Sequence, residues 1–305
     1  MGGVLSKAPG PTGEETRRLS SVGEPPYASS AFFIAARRLC KNKTAVIGLV
    51  VFLLICLACL LAPYLTKWNY YTLNSKTMRL RPSLEHLFGT DSMGRDVLTR
   101  MLYGGRITLR IAVLAASMAA VAGSVLGVIS GYAGKRADKL VTAVLDVLDS
   151  IPIVVLALVS EAVLGWGRGN FMYAIAIAAT PKFAQLVRGS VLNITGSAYI
   201  EASRALGISH FGIIFRHILR NVAPPLIVRY TISVTETMLT CTIMGYLSVG
   251  ITPPTPEWGA IVHEVRGYVL TNPIMTILPC LVVSITLISF SLFGDGVRDA
   301  LDPHE

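Results

Sequence analysis

The chain has 305 residues, of which 52% are hydrophobic and 15% charged, and its mean hydropathy is +0.59. This balance excludes an ordinary water-soluble domain, because the apolar residues gather in blocks near the ~20 residues that cross a bilayer as a helix. The formal net charge of +9 reads as membrane topology rather than nucleic-acid binding, since Lys and Arg cluster beside the apolar blocks.

In chain order, residues 1–30 are rich in Gly, Ser, Pro and Glu and are expected to be disordered. Residues 31–43 read as a short basic helix that completes a cytoplasmic tail, 1–43. Met1-Gly2 to Ser6 fits a myristoylation pattern, but the pattern is short and common by chance. The polar tail precedes the first apolar run, the wrong order for a cleavable signal peptide. The first span is Thr44–Ala62. Cys56 and Cys59 within it copy a redox spacing, yet in an apolar helix they read as small packing residues.

An extracytoplasmic segment follows, 63–106. Gly89-Thr90-Asp91 and Gly94-Arg95-Asp96 are turn-like. The amphipathic stretch after them is expected to lie along the outer interface. Five more spans are expected: Ile107–Tyr132, Leu140–Leu164, Phe171–Val191, Pro224–Val249 and Pro273–Phe293. They make a core, 107–294, before a cytoplasmic end, 295–305. Gly123, Gly127 and Gly131 recur every four residues, which lets helices approach closely. A spanning backbone must satisfy its own hydrogen bonds, so the fold class is an all-α polytopic membrane protein. Six spans put both termini on one side. Arg17, Arg18, Arg37, Arg38, Lys41 and Lys43, the turn Lys135–Lys139, and Lys182, Arg188, Arg204, Arg216 and Arg220 make that side cytoplasmic.

No catalytic set appears. There is no phosphate-binding Gly-rich loop with its Lys, no nucleophile elbow and no clustered Cys/His signature. The chain reads as a non-enzyme. His263 and Glu264 read as solvated polar groups rather than metal ligands, so no metal site is assigned. Ionisable residues inside spans are costly and mark either a pathway or a structural pair. Asp146 and Asp149 share one face of the third span, which Pro152 is expected to kink. Glu236 lies in the fifth span. All three are candidates for a translocation path; the alternative is pairing with Arg.

The polar stretch "SAYIEASRALGISHFGIIFRHILRNVAPP", 197–225, is too polar to span and too patterned for a slack loop. Ile200, Ala205, Leu206, Ile208, Phe211, Ile214, Phe215, Ile218 and Leu219 give a helical apolar face, broken at Gly207, where one short helix can end and another start. Glu201 suits the first turn of the first helix. The result is a helix–Gly–helix hairpin, suited to the lipid interface or to a groove on another protein.

"EASRALGISHFGIIFRHIL" resembles the EAA signature of ABC-importer permeases. Glu201, Ala202 and Gly207 match; Ser203 replaces the second Ala, and Arg220 stands where the family usually has Pro. "FGTDSMGRDVLTRMLYGGRITLRIAV" resembles the outer segment of C-type permeases of dipeptide, oligopeptide and nickel importers. "TPPTPEWGAIVHEVRGYVLTNP" and "GDGVRDALDP" are similar to that subfamily's last outer loop and end. The pattern departs at Ala143, Thr180, Gln185 and Cys241, where such permeases often carry Arg, Trp, Arg and a nearby Glu.

The resemblance implies a type I importer permease that imports short peptides by alternating access. Nickel or another metal chelate is the alternative cargo, and a stand-alone ion-coupled transporter using Asp146, Asp149 and Glu236 is a third reading. It implies that Glu201, Ala202, Ser203, Arg204 and Gly207 couple to an ATPase, with Arg204 and Phe211–Phe215 bracing the hairpin. ATP and Mg would be bound by partner ATPase subunits, and no cofactor by this chain. The implied partners are a second permease subunit, two cytoplasmic ATP-binding subunits, an extracytoplasmic substrate-binding protein and membrane lipid, with no nucleic acid. The binding protein and partner permease would face 89–106, with the motif Gly89, Thr90, Asp91, Gly94, Arg95 and Asp96, and loop 250–272. The implied location is a bacterial or archaeal cell membrane.

Overall fold

A computed structural model describes residues 28–165, 168–251 and 253–302. The tail 1–27, including the myristoylation pattern, and the last residues Pro303–Glu305 lie outside the described residues. Among the described residues every regular element is a helix, and the only strand-like feature is an isolated antiparallel bridge between Thr90 and Asp96.

A short helix α1 (Ala28–Lys41) leads into α2 (Lys43–Leu60). Asn42 separates them, and its side chain accepts from the Ala45 amide at 3.2 Å, an ordinary N-cap. One turn, α3 (Ala62–Leu65), closes the first span. The outer segment then folds as turns until Asp96, whose Oδ1 accepts from the Thr99 amide at 2.7 Å and starts α4 (Val97–Tyr132). This helix has 36 residues, about 54 Å at 1.5 Å per residue, longer than a bilayer core of about 30 Å. Residues 97–106 therefore continue the span outward rather than lying along the interface as expected.

The expected third span is not one helix. It divides into α5 (Lys135–Asp149) and α6 (Ile153–Leu164), bent by 103°. Pro152 lacks an amide hydrogen and disfavours helical backbone at Ile151, so the chain breaks here instead of kinking. Next come α7 (Arg168–Thr195), α8 (Ala198–Ala205), the 37-residue α9 (His210–Tyr246), α10 (Trp258–Val265) and α11 (Pro273–Leu301).

Among the described residues, four helices (α2, α4, α9, α11) are long and apolar enough to cross a membrane, or five if the bent pair is one span. The sequence led to an expectation of six. The difference lies in α7: it is 28 residues long, but Lys182, Gln185 and Arg188 dilute its apolar character. The packing shows why α7 tolerates them. Phe171, Ile175, Phe183, Val187 and Val191 are fully buried, so α7 is solvated largely by protein rather than lipid.

The glycine spacing does the work expected of it. A Cβ on Gly127 would sit 2.6 Å from the Ala184 carbonyl oxygen, and one on Gly131 would sit 2.8 Å from Val191 Cβ. Only glycine lets α4 and α7 pack this closely. The three larger of the buried clusters stack along the molecule. One surrounds Trp258, Met101, Met238 and Met275. A middle one includes Phe171, Ile175, Cys241 and Met244. The third, at the other end, holds Val187, Val191, Ile200, Ile213, Ile218 and Val222. Leu53, Leu57, Ile277, Leu281 and Ile288 are exposed on α2 and α11.

Candidate functional site

Three groups of polar residues interrupt this apolar frame. At the end of the bundle that carries segment 63–96, Asp91 sits between two arginines. Its Oδ2 accepts from Arg95 Nε and Arg100 Nη1, both at 2.7 Å, and its Oδ1 accepts from the amides of Met93 (2.8 Å) and Arg95 (3.0 Å). Glu264 of α10 closes the ring: it accepts from Arg95 Nη2 at 2.8 Å and from Arg100 Nη2 at 3.0 Å, and also pairs with Arg100 Nη1. Asp91 and Arg100 are each 1% exposed. Asp96 pairs with His86 Nδ1 at 2.9 Å, and His86 stacks on Trp68. Gly89 and Gly94 take φ of +76°, which the two turns require.

The side chains of the motif thus have a role inside the chain that the sequence did not reveal. Thr90, Asp91, Arg95 and Asp96 are buried and turn inward, so their side chains brace the outer segment and are not on offer to a partner. Glu264, expected to be solvated, is the far half of that brace. Nothing in the sequence signalled a pair 164 residues apart in the chain.

Glu257 was also missed. It is fully buried, caps α10 by accepting from the Ala260 amide at 2.9 Å, and accepts from Thr108 Oγ1 at 3.0 Å. Burial pushes its carboxyl up to about 7, against these hydrogen bonds, which pull it down. Glu161 on α6 is fully buried, and neither of its carboxylate oxygens has a hydrogen-bond partner. A charge in an apolar run was the signal that could have found it.

The middle group centres on Glu236. Its Oε2 accepts from Arg229 Nη2 at 2.5 Å and its Oε1 from Lys182 Nζ at 3.3 Å. The carboxylate stays 30% exposed, so the triad borders an accessible surface. Asp146 and Asp149 do not join it. They are exposed on α5, where Asp146 meets Gln185 Nε2 only at 3.5 Å. The pair that sequence reading missed here is Asp138–Arg188. Arg188 donates through Nε at 2.5 Å and Nη2 at 2.9 Å, and Ser130 Oγ adds a bond at 2.7 Å.

At the opposite end of the bundle the helix–Gly–helix geometry is present. Gly207 has φ of +77°, its amide donates to the Arg204 carbonyl at 3.0 Å, and Ile208 donates to Ser203 at 3.1 Å. This is a Schellman stop. Ser209 then caps α9 by accepting from the Gly212 amide. The expected single apolar face splits in two. Ile200, Ile213 and Ile218 are buried under α7, whereas Leu206, Phe211 and Phe215 are 81%, 76% and 68% exposed. Phe211 and Phe215 therefore do not brace the hairpin. Arg204 does face the scaffold, with its guanidinium 5.5 Å from the Tyr132 ring. Glu201 and Ala202 are exposed, and Ser203 is buried with Oγ donating to the Tyr199 carbonyl at 2.8 Å.

Comparison with known proteins matches this architecture. Residues 123–304 match the family described as binding-protein-dependent transport system inner membrane component. Residues 30–82 match the N-terminal TM domain of oligopeptide transport permease C. The chain is 36% identical over 269 residues to the dipeptide transport system permease protein DppC of Alkalihalophilus pseudofirmus, covering 88% of each chain. It is 36% identical to the glutathione transport system permease protein GsiD of Pectobacterium atrosepticum, covering 88% of this chain and 89% of that one. In fold it is similar to the inward-facing MetNI methionine ABC transporter, with a TM-score of 0.56 at 22% identity, covering 67% of this chain and 97% of that chain. The chain thus belongs to the family of binding-protein-dependent transport system inner membrane components, the membrane-embedded permease subunits of ABC importers.

Proposed function

We propose that the chain forms half of the translocation path of an importer for short peptides and works by alternating access. In this reading α7 is the sixth span and both termini are cytoplasmic. Two ATP-binding subunits dock beneath the membrane, and a second permease subunit completes the path. Glu236, with Arg229 and Lys182, borders the path. The bend at Pro152 leaves Asp146 and Asp149 near the surface and argues against a path role for them.

The observation that carries the coupling role is the exposed end of the hairpin. Leu206, Phe211 and Phe215 leave the core beside exposed Glu201 and Arg204. Large apolar side chains exposed beside charged ones suit a protein partner. The peptide assignment draws on the relatives, which are named for dipeptide and glutathione transport.

The test uses the Leu206→Asp/Phe211→Asp double variant. Its ATPase subunits should no longer co-purify, and labelled-dipeptide uptake by cells should fall at least about tenfold, the loss of about 1.4 kcal/mol of docking. Unchanged co-purification and uptake would reject the hairpin as the ATPase contact. Wild-type uptake of nickel but not dipeptide would reject the cargo.

A further inference from the structure

An outer cleft of about 460 Å³ opens between the turn at Arg79–Arg81 and the segment from Glu264 to Met275. We infer that it is a carboxylate-binding dock: it receives an acidic side chain presented by the extracytoplasmic substrate-binding protein. The inference rests on the reading of this chain as a binding-protein-dependent permease and adds the residues of contact.

Charge is the first argument. Arg95 and Arg100 are balanced by Asp91 and Glu264. Arg79 and Arg81 are exposed, and neither side chain has an ion-pair or hydrogen-bond partner among the described residues. The cleft therefore carries two uncompensated cations, and Glu264 is already occupied. A guanidinium pair of this kind suits a carboxylate, which each fork can bind through two hydrogen bonds.

The second argument is Asn272 on the opposite wall. Its Nδ2 is shielded from solvent and has no acceptor. A donor without a partner is costly, and a turn of the Asn272 amide toward the cleft it lines would present it to an entering carboxylate oxygen.

The third is backbone conformation. Arg79 has φ of +57°, where a residue with a Cβ is disfavoured by roughly 1–2 kcal/mol. The turn is held there by the Arg79 amide donating to the Asp91 carbonyl at 3.1 Å, the Leu80 amide donating to Thr90 Oγ1 at 2.8 Å, and the Thr90 amide donating to the Leu80 carbonyl at 3.1 Å. Gly or Asn would take this conformation at lower cost. The position keeps, in a disfavoured conformation, an arginine whose side chain makes no hydrogen bond or ion pair among the described residues, which points to a ligand.

The cleft is the outward side of the same brace. Asp91 anchors Arg79 through its backbone and Arg100 through its side chain, so the free arginines are presented on a rigid base. Exposed cations at a rim suit steering and register of a docking protein.

The experiment uses the full importer complex in nanodiscs and its purified cognate binding protein. Affinity is measured at low and high salt, with basal ATPase rate and melting temperature alongside. Arg79→Gln/Arg81→Gln should raise the Kd about tenfold or more and flatten its salt dependence, with basal ATPase unchanged. Arg79→Asn should melt higher yet bind more weakly, a combination that a purely structural role for Arg79 does not give. A Kd within twofold of wild type in both variants would overturn the dock. So would an unchanged Kd with a raised KM for peptide, which would mean that the cleft holds the substrate's carboxylate. Failure of the wild-type complex to bind its cognate protein would instead overturn the binding-protein reading itself, and the dock with it.

Discussion

Asp91 neutralises two buried arginines while accepting two backbone amides. Removing one partner of such a group leaves charge buried and unpaired. Asp91→Asn should therefore destabilise the detergent-solubilised protein by about 3 kcal/mol, read from its unfolding midpoint in denaturant, whereas Arg81→Gln on the rim should change it by less than about 0.5 kcal/mol. Equal effects of the two would refute the keystone role. Glu257 supplies a pH dependence. Its folded value of about 7 lies above its ordinary 4.5, so between those pH values the folded state holds a proton that the unfolded state has released. The stability it contributes is full below about pH 4.5 and is lost as pH rises to about 7. Glu257→Gln keeps an acceptor for the Ala260 amide and cannot ionise. The variant should lose less melting temperature between pH 5 and pH 8 than wild type does, and parallel curves would exclude Glu257 as the titrating group.

At the scale of elements, close approach governs assembly. The α4–α7 contact depends on backbone meeting backbone at Gly123 and Gly127, because a Cβ at either would fall within 2.9 Å of several atoms of α7. Gly127→Leu should push the helices apart and lower the melting temperature by several degrees, an overpacking cost of about 1–3 kcal/mol. A variant as stable as wild type would mean that the two helices are free to separate. The glycine spacing was legible in the sequence, because small residues four apart fall on one helix face. The break between α5 and α6 was only half legible. Pro152 announced a disturbance, but its size, 103°, depends on what each half packs against: Leu145 buries one side of α5 while Asp146 and Asp149 stay wet.

For the molecule as a whole, Arg188 joins parts distant in sequence. Its fork holds Asp138 of α5 against α7, and Ser130 of α4 binds the same carboxylate. The latch ties the amphipathic helix to the buried central one. Arg188→Ala should increase hydrogen exchange across 135–149 about five- to tenfold while leaving the outer half of α4 protected, because local opening then needs about 1 kcal/mol less. Uniform deprotection of the whole chain would indicate a global loss of stability instead. The outer brace at Asp91 and this inner latch lie at opposite ends of α4 (36 residues), so one long helix carries fixed points at both ends.

The sequence by itself determined the class of molecule. Apolar blocks long enough to cross a bilayer leave a backbone no alternative to helix, and the resemblance of 201–219 to importer permeases agreed with the family match, which covers that stretch. Gly207 was legible too, because a Schellman stop needs one residue at positive φ, and glycine takes it most easily. Tertiary structure alone decided which charges meet. Arg100 and Glu264, Asp138 and Arg188, and Glu236 with Lys182 are far apart in the chain, and nothing local to either partner names the other. It also decided which way the outer motif faces. A Thr-Asp next to a glycine turn is equally suited to water or to a buried arginine, and only the position of α10 supplies the carboxylate that brings Arg95 and Arg100 inside and leaves Arg79 and Arg81 out.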